Sequence, residues 1–333
     1  MRRLALMAAV VALSACGARG LTQDRGDAIA IDAQSVPMNS LRPSDDIDGA
    51  FRYAGGLWLR TRDSNRFGGL SDLKIDRQGD LTAETDEGAL LRAHIVLDGQ
   101  GRLQRLDHAT LAALTGATGA PLNGKAESDA EGVAVWPNGD LMVSFERRHR
   151  IWLYPFKGGP PQNLPMPNVH MPNNEGMEGL TLAPSQGPDA YWVGIEAGSI
   201  WLCRLTTECR QWTGLPSPPL GFRLTGLSET PAGDLVVLHH SFNPFNNRSQ
   251  VLATIVAIPS GPRVLAHAKV QLDLEPPLSV DNFEGVAAVR SPDGGLRLYL
   301  ISDDNFSDKQ RTLLLAFDWA GPGSNRNASP STH

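Results

Sequence analysis

The stretch Asp281-Asn282-Phe283-Glu284-Gly285-Val286 decides the fold, and Ile301-Ser302-Asp303-Asp304-Asn305-Phe306 is its partner downstream. Each begins or ends an apolar, strand-like run and carries acids at the tip. Weaker copies of the first lie upstream: Phe67-Gly68-Gly69-Leu70, Ala130-Glu131-Gly132-Val133, Met177-Glu178-Gly179-Leu180 and Leu224-Thr225-Gly226-Leu227. Aligned on Gly69, Gly132, Gly179, Gly226 and Gly285, the copies are 63, 47, 47 and 59 residues apart. A period near 50 with several short strands per unit is the signature of a β-propeller.

Within the units a second strand follows a turn such as Pro137-Asn138-Gly139-Asp140 or Pro292-Asp293-Gly294-Gly295. Asn-Gly and Asp-Gly accept positive φ and so favour tight hairpins. Third strands follow at 91–97, 151–156, 199–205, 251–258 and 312–317. Helical periodicity is nearly absent, and only His108–Leu114 reads as a short helix. The chain is therefore expected to be all-β, a propeller with five visible units. A sixth, degenerate blade built partly from the N-terminus is the open alternative. The strands at 28–31 and 51–60 have no unit of their own, and one is expected to close the ring by completing the last blade, which hides a sheet edge.

The flanks read differently. Arg2 and Arg3 precede an apolar run, Leu4 to Ala15, too short to span a bilayer. It ends in Leu13-Ser14-Ala15-Cys16, the pattern of a bacterial lipoprotein signal cut before a lipidated Cys16. The expected organisation is signal peptide 1–15, tether 16–28, propeller 29–319 and a disordered tail 320–333 rich in Gly, Ser, Asn and Pro. The expected location is the periplasm-facing side of the outer membrane, held by the lipid alone. Residues 1–15 hold two arginines and no acid, so a net charge of −6 becomes −8 after cleavage. That balance argues against nucleic acid as a partner and suits cations. Cys203 and Cys209 flank Thr206-Thr207-Glu208 in a hairpin pattern, and an oxidising compartment predicts a disulfide between them.

Strand alternation puts the start of each first strand and the end of each second strand on one face. That rim collects Asp129, Glu131, Glu175, Glu178, Asp281, Asn282 and Glu284 from the starts. It collects Asp86, Glu146, Glu196, His239, His240, Asp303, Asp304 and Asn305 from the ends. First strands line the central channel, so Glu131, Glu178 and Glu284 are expected to converge. Carboxylates that converge must be protonated, paired or neutralised by a metal ion. Oxygen-only sets suit Ca²⁺ or Mg²⁺ rather than Zn²⁺. For any single acid the competing role is capping backbone amides at a blade turn. Known phosphate and nucleophile motifs are missing: Gly119 to Lys125 has the spacing of a phosphate loop, but Ala126 stands where Ser or Thr is needed. There is no G-x-S-x-G elbow and no H-E-x-x-H.

Six blocks in order carry a family resemblance: Phe67–Leu73, Phe145–Ile151, Asn174–Leu180, Gly221–Arg223, Asp281–Gly285 and Ser302–Ser307, followed by Gln310–Leu314. Together they resemble the phytase-like family, whose domain is called esterase-like activity of phytase, over about residues 48 to 318. The resemblance implies hydrolysis of phosphoesters or related esters at shared Asp and Glu residues. On that reading Glu131, Glu178, Asp281, Glu284 and Asp303 hold Ca²⁺, with Glu131, Glu178 and Glu284 at the catalytic centre. Arg148 and Arg311 hold a small anionic ester, and His149 protonates the leaving group. The rival reading is a non-enzymatic propeller that binds a ligand or protein at the cell envelope.

Overall fold

The computed structural model describes residues 26–215, 217–258, 264–319 and 321. The signal segment, the lipobox and the tail from 322 lie outside the described residues, as do most of the tether residues. The described residues form five antiparallel sheets. Blade one runs outward from the axis as Leu70–Ile75, Asp80–Thr85, Ala89–Leu97 and Leu103–Ala113, with Asp27–Ala28 on its outer edge. Blade two is Ala130–Val135, Leu141–Phe145, Arg150–Tyr154 and Gln162–Leu164. Blade three is Gly179–Leu182, Ala190–Gly194, Ile200–Arg204 and Thr207–Gln211. Blade four is Arg223–Glu229, Leu235–Asn243, Arg248–Val256 and Ala268–Leu274. Blade five starts with Asn282–Arg290, Leu296–Asp303 and Leu313–Trp319, and the N-terminal strands Phe51–Arg60 and Asp32–Ser35 complete it.

The ring thus closes through the N-terminal strand 51–60, which pairs antiparallel with Leu313–Trp319. No sixth sheet forms among the described residues: the spare N-terminal segments join blades one and five instead. The five innermost strands contact one another in sequence and the fifth returns to the first. Five buried apolar clusters fill the five blade interfaces. Leu224 and Leu227 of blade four, for example, pack with Trp192 and Ala190 of blade three. Strand faces are buried on both sides, which is why the runs read as nearly continuous apolar sequence.

The segment His108–Leu114 is not a helix. Residues 103–113 form the fourth strand of blade one, paired with Ala89–Leu97. Its Ala and Leu residues favour helix, but burial on a pleated sheet overrides that preference. Cys203 and Cys209 are joined, with Cα atoms 4.0 Å apart.

The repeat itself has a sharper structural meaning than its glycine. In four hairpins between first and second strands, the inner strand carries one extra residue. The extra residues are Ser71, Glu131, Thr225 and Glu284. Such a bulge turns one side chain out of the alternation and re-aims it. Glu178 holds the matching place before Gly179 in blade three. The register corrects the alignment of blade one: Asp72, not Gly69, occupies the glycine position, and Ser71 stands where the glutamate would be.

Glycine follows the bulge because neighbouring inner strands come close there. A methyl on Gly226 would lie 2.6 Å from the Glu284 carbonyl oxygen, and one on Gly285 would lie 2.7 Å from the Asp72 Cα. Gly285→Ala should therefore cost about 2–4 kcal/mol, since backbone rather than a flexible tip must give way. Urea denaturation measures it, and an unchanged midpoint would show that the strands do not need the gap.

Candidate functional site

The bulged residues and the ends of the second strands meet on one face of the ring. Three of these five positions carry a carboxylate: Glu131 and Glu178 on adjacent blades, and Glu284 on blade five. Blades one and four place hydroxyls between them and Glu284. Both hydroxyls are turned to the backbone: Thr225 Oγ1 donates to the Phe283 carbonyl at 3.2 Å and Ser71 Oγ to that of Gly69 at 3.4 Å.

Two groups of oxygen ligands form. Asp129, Glu131 and Glu146 each offer an oxygen within 4.8 Å of the others, and so do Glu146, Glu178 and Glu196. Glu146 belongs to both. Asp281, Glu284 and Asp303 fall outside both groups. There Asn282 Nδ2 donates to Glu284 at 2.8 Å, and the Asn305 backbone N–H donates to Asp303 at 2.6 Å.

Charge divides the face into two zones. The outer carboxylates are closed by cations. Asp129, 1% exposed, is ion-paired with Lys125 Nζ and accepts from Arg147 Nε, both at 2.5 Å, and Lys125 also reaches Asp86. Arg223 spans Glu175 at 3.2 Å and Glu196 at 3.1 Å. Arg311 lies 3.4 Å from Asp281. The inner carboxylates are different: among the described residues none of Glu131, Glu146, Glu178 and Glu284 has an ion-pair partner. Burial first, then the neighbouring carboxylates Glu178 and Glu284, push Glu131 well above the usual range. Glu178 is raised by burial, Glu196 and Glu146. Glu284 is raised by burial, Asp303 and Glu178. Glu146 is pushed up to about 7 by burial, Asp129 and Glu196. Asp303 is pushed up to about 7 by burial, against its hydrogen bond from Asn305.

The expected substrate cations are engaged elsewhere. Arg148 pairs with Glu127, and His149 Nε2 lies 3.1 Å from the Pro172 carbonyl oxygen. His149 Nδ1 is buried without a partner in the protein. His239 and His240 lie within the strand Leu235–Asn243, each with a buried, unpartnered Nε2, and burial lowers both to about 4, so both are neutral at pH 7. Beside the second carboxylate group, Pro172, Asn173, Asn174, Glu175, Glu196 and Arg223 line an open cleft of about 590 Å³. Arg223 is therefore the cation that looks into open space next to the acids.

Fold and site together define a five-bladed propeller with a carboxylate-lined rim. A family model described as phytase-like, esterase-like activity of phytase, matches residues 65–306. The chain belongs to that family. No curated protein matches it. Among solved structures it is similar to the PQQ-bound aldose sugar dehydrogenase of Streptomyces coelicolor, at 14% identity and TM-score 0.45, over 76% of this chain and 94% of the other. It is also similar to a protein described as a gluconolactonase, at 14% identity and TM-score 0.45, over 91% and 92% of the two chains. Virginiamycin B lyase of Staphylococcus aureus aligns at 11% identity and TM-score 0.41, over 87% and 99%.

Proposed function

We propose that the protein is an envelope-anchored hydrolase of phosphoesters or related esters, working at the acidic face with a divalent cation. The observation that supports this most is the split in charge. The outer acids have their arginines and lysine, whereas the four inner glutamates have no ion-pair partner among the described residues and crowd one another. Side chains built to pair with one another alone would not leave the inner set open.

The donor set fits a hard cation. All five ligands are carboxylates, and the two groups share one of them, Glu146. Asp129, Glu131 and Glu146 would hold one ion and Glu146, Glu178 and Glu196 another, and Ca²⁺ is the ion we favour. A bound cation supplies polarisation of an ester oxygen and a more acidic water. Arg223 is placed to hold the ester's anionic group at the cleft, by releasing one of its two carboxylates. Arg147, which also lies 3.4 Å from the Asn174 side-chain oxygen, fixes Asp129 and so orients the first group. Glu284, Asp281 and Asp303 form a second acidic patch across the channel, with Arg311 as its cation.

A binding module without turnover is the alternative, and the closed outer pairs favour it. Assay of the purified protein on aryl phosphates, aryl acetate and inositol hexakisphosphate separates the two. Calcium-dependent hydrolysis of any of these, lost with EDTA and restored by Ca²⁺, is expected. Calcium binding with no turnover of the whole panel would leave only the module.

Envelope attachment belongs to the same proposal and rests on Leu13-Ser14-Ala15-Cys16. No helix among the described residues is long and apolar enough to cross a membrane. Cys16→Ser should abolish palmitate labelling and block signal removal. A variant that still labels and stays on the membrane refutes the lipobox reading. Gly17 rather than Asp follows the cysteine, which points to outer-membrane sorting in a Gram-negative host.

A further inference from the structure

Blade four departs from the others on the site face. The second-strand residue opposite the residue that precedes the bulge is Thr85, Phe145 and Ser302 in blades one, two and five, and each strand ends there or one residue later. In blade four that residue is His239, and the strand runs on to Asn243, paired through Ser241–Gln250, Phe242–Ser249 and Asn243–Arg248. Four extra residues lift the hairpin roughly 13 Å above the rim. Its tip is Phe242-Asn243-Pro244-Phe245-Asn246-Asn247, with Phe242 54% and Phe245 98% exposed. Beside it the loop Ser217–Phe222 carries Leu220, 103% exposed, and its Pro218 sits against Gly198 in a rim turn of blade three. Residues 217–222 and 241–247 contain no charged side chain.

The N-terminus enters on the same side. Asp27–Ala28 pairs with Leu111 and Thr110 on the outer strand of blade one. That strand leads into Leu114, whose N–H bonds Gly88 in the rim turn beside Ser128. Gly26 packs against the Leu111 and Ala112 backbone at that end. Only nine residues lie between Cys16 and Gly26, a reach of about 35 Å at most. A lipid on Cys16 therefore holds this side of the propeller near the bilayer.

We infer that the site face docks on the lipid surface, with Phe242, Phe245 and Leu220 seated among the headgroups and the acidic rim held open above them. This inference rests on the lipid anchor proposed above. Aromatic rings suit the interface, and residues 242–247 bring no charge to desolvate, the nearest being Arg248, which pairs with Glu275. The carboxylates are recessed below the hairpin and are spared close approach to anionic lipid.

The test uses the full chain, exported and lipidated, reconstituted in vesicles of phosphatidylethanolamine and phosphatidylglycerol. Phe245→Cys carries an environment-sensitive fluorophore. Phe156→Cys, on a 61% exposed side chain beside the turn at Gly139 on the opposite face, is the control. The expected result is a blue-shifted emission at 245, quenched at least twofold by spin-labelled lipid, with neither change at 156. A label at 245 that behaves like the one at 156, on protein that floats with the vesicles, overturns the docking and leaves the hydrolase reading intact. Protein that does not float removes the anchor and the docking together.

Discussion

Calcium should raise the melting temperature at pH 8 by about 5–10 °C and leave it nearly unchanged at pH 5. The reason lies in the glutamates with no cation. Burial and mutual repulsion raise Glu131, Glu178 and Glu284 above the ordinary carboxylate range. For a carboxylate raised in this way, the folded protein is not penalised below the unfolded value near 4.5. Stability is then lost as pH climbs from there toward the folded value. Each pH unit in that window costs about 1.4 kcal/mol per group. Glu178 is buried and bears the full effect, while Glu131 and Glu284 keep some solvent and bear less. A cation bound between the carboxylates cancels the loss, so its effect must grow with pH. An equal shift at both pH values would place the ion elsewhere. No shift at either would remove the cation from this rim.

Much of this arrangement was legible in the sequence, and the reasons are physical. Glu-Gly at strand starts is visible because the bulge needs one extra residue and the glycine makes room for the next strand's backbone. The turns at Gly79, Gly139, Gly233 and Gly294 are visible because each takes φ near +90°, which glycine alone adopts freely. The closing strand 51–60 showed itself as an apolar run with no unit to belong to. Blade one was misread because Asp72 replaces the glycine. Asp72 also serves as a clasp: its carboxylate accepts from the Val133 N–H of blade two at 3.2 Å and from Lys74 at 2.5 Å. A motif search has no way to see glycine exchanged for a carboxylate that performs the same joining of blades. The central role of Glu146 was missed for another reason. It was visible as an acid ending a second strand, as Glu196 was. That it serves two groups depends on blade three closing over it, where Gly176 leaves room for its side chain: a methyl there would lie 3.0 Å from Glu146 Cγ. Sequence spacing within one blade carries no record of that packing.

Two substitutions of the same chemistry should therefore act in opposite ways when calcium is present. Glu84 and Glu146 are both buried glutamates, and replacing either with glutamine keeps the volume and removes a charge. Glu84 is 0% exposed, neither oxygen has a hydrogen-bond partner, and Asp72 stands opposite it in the sheet. Burial first, then Asp72, raises it well above the ordinary range. It belongs to neither ligand group. Glu84→Gln should stabilise the protein by about 1–3 kcal/mol at pH 8, with or without calcium, and leave the calcium shift intact. Glu146→Gln should also stabilise the calcium-free protein, because it removes one of several repelling charges. With calcium the sign reverses: the variant loses a ligand shared by two groups, most of the thermal shift, and ester hydrolysis by at least about 100-fold. Melting curves of both variants at pH 8, with EDTA and with millimolar calcium, read all four cases. If Glu146→Gln stabilises by the same amount in both buffers, the shared carboxylate holds no ion, and the case for cation-assisted hydrolysis at this rim fails with it.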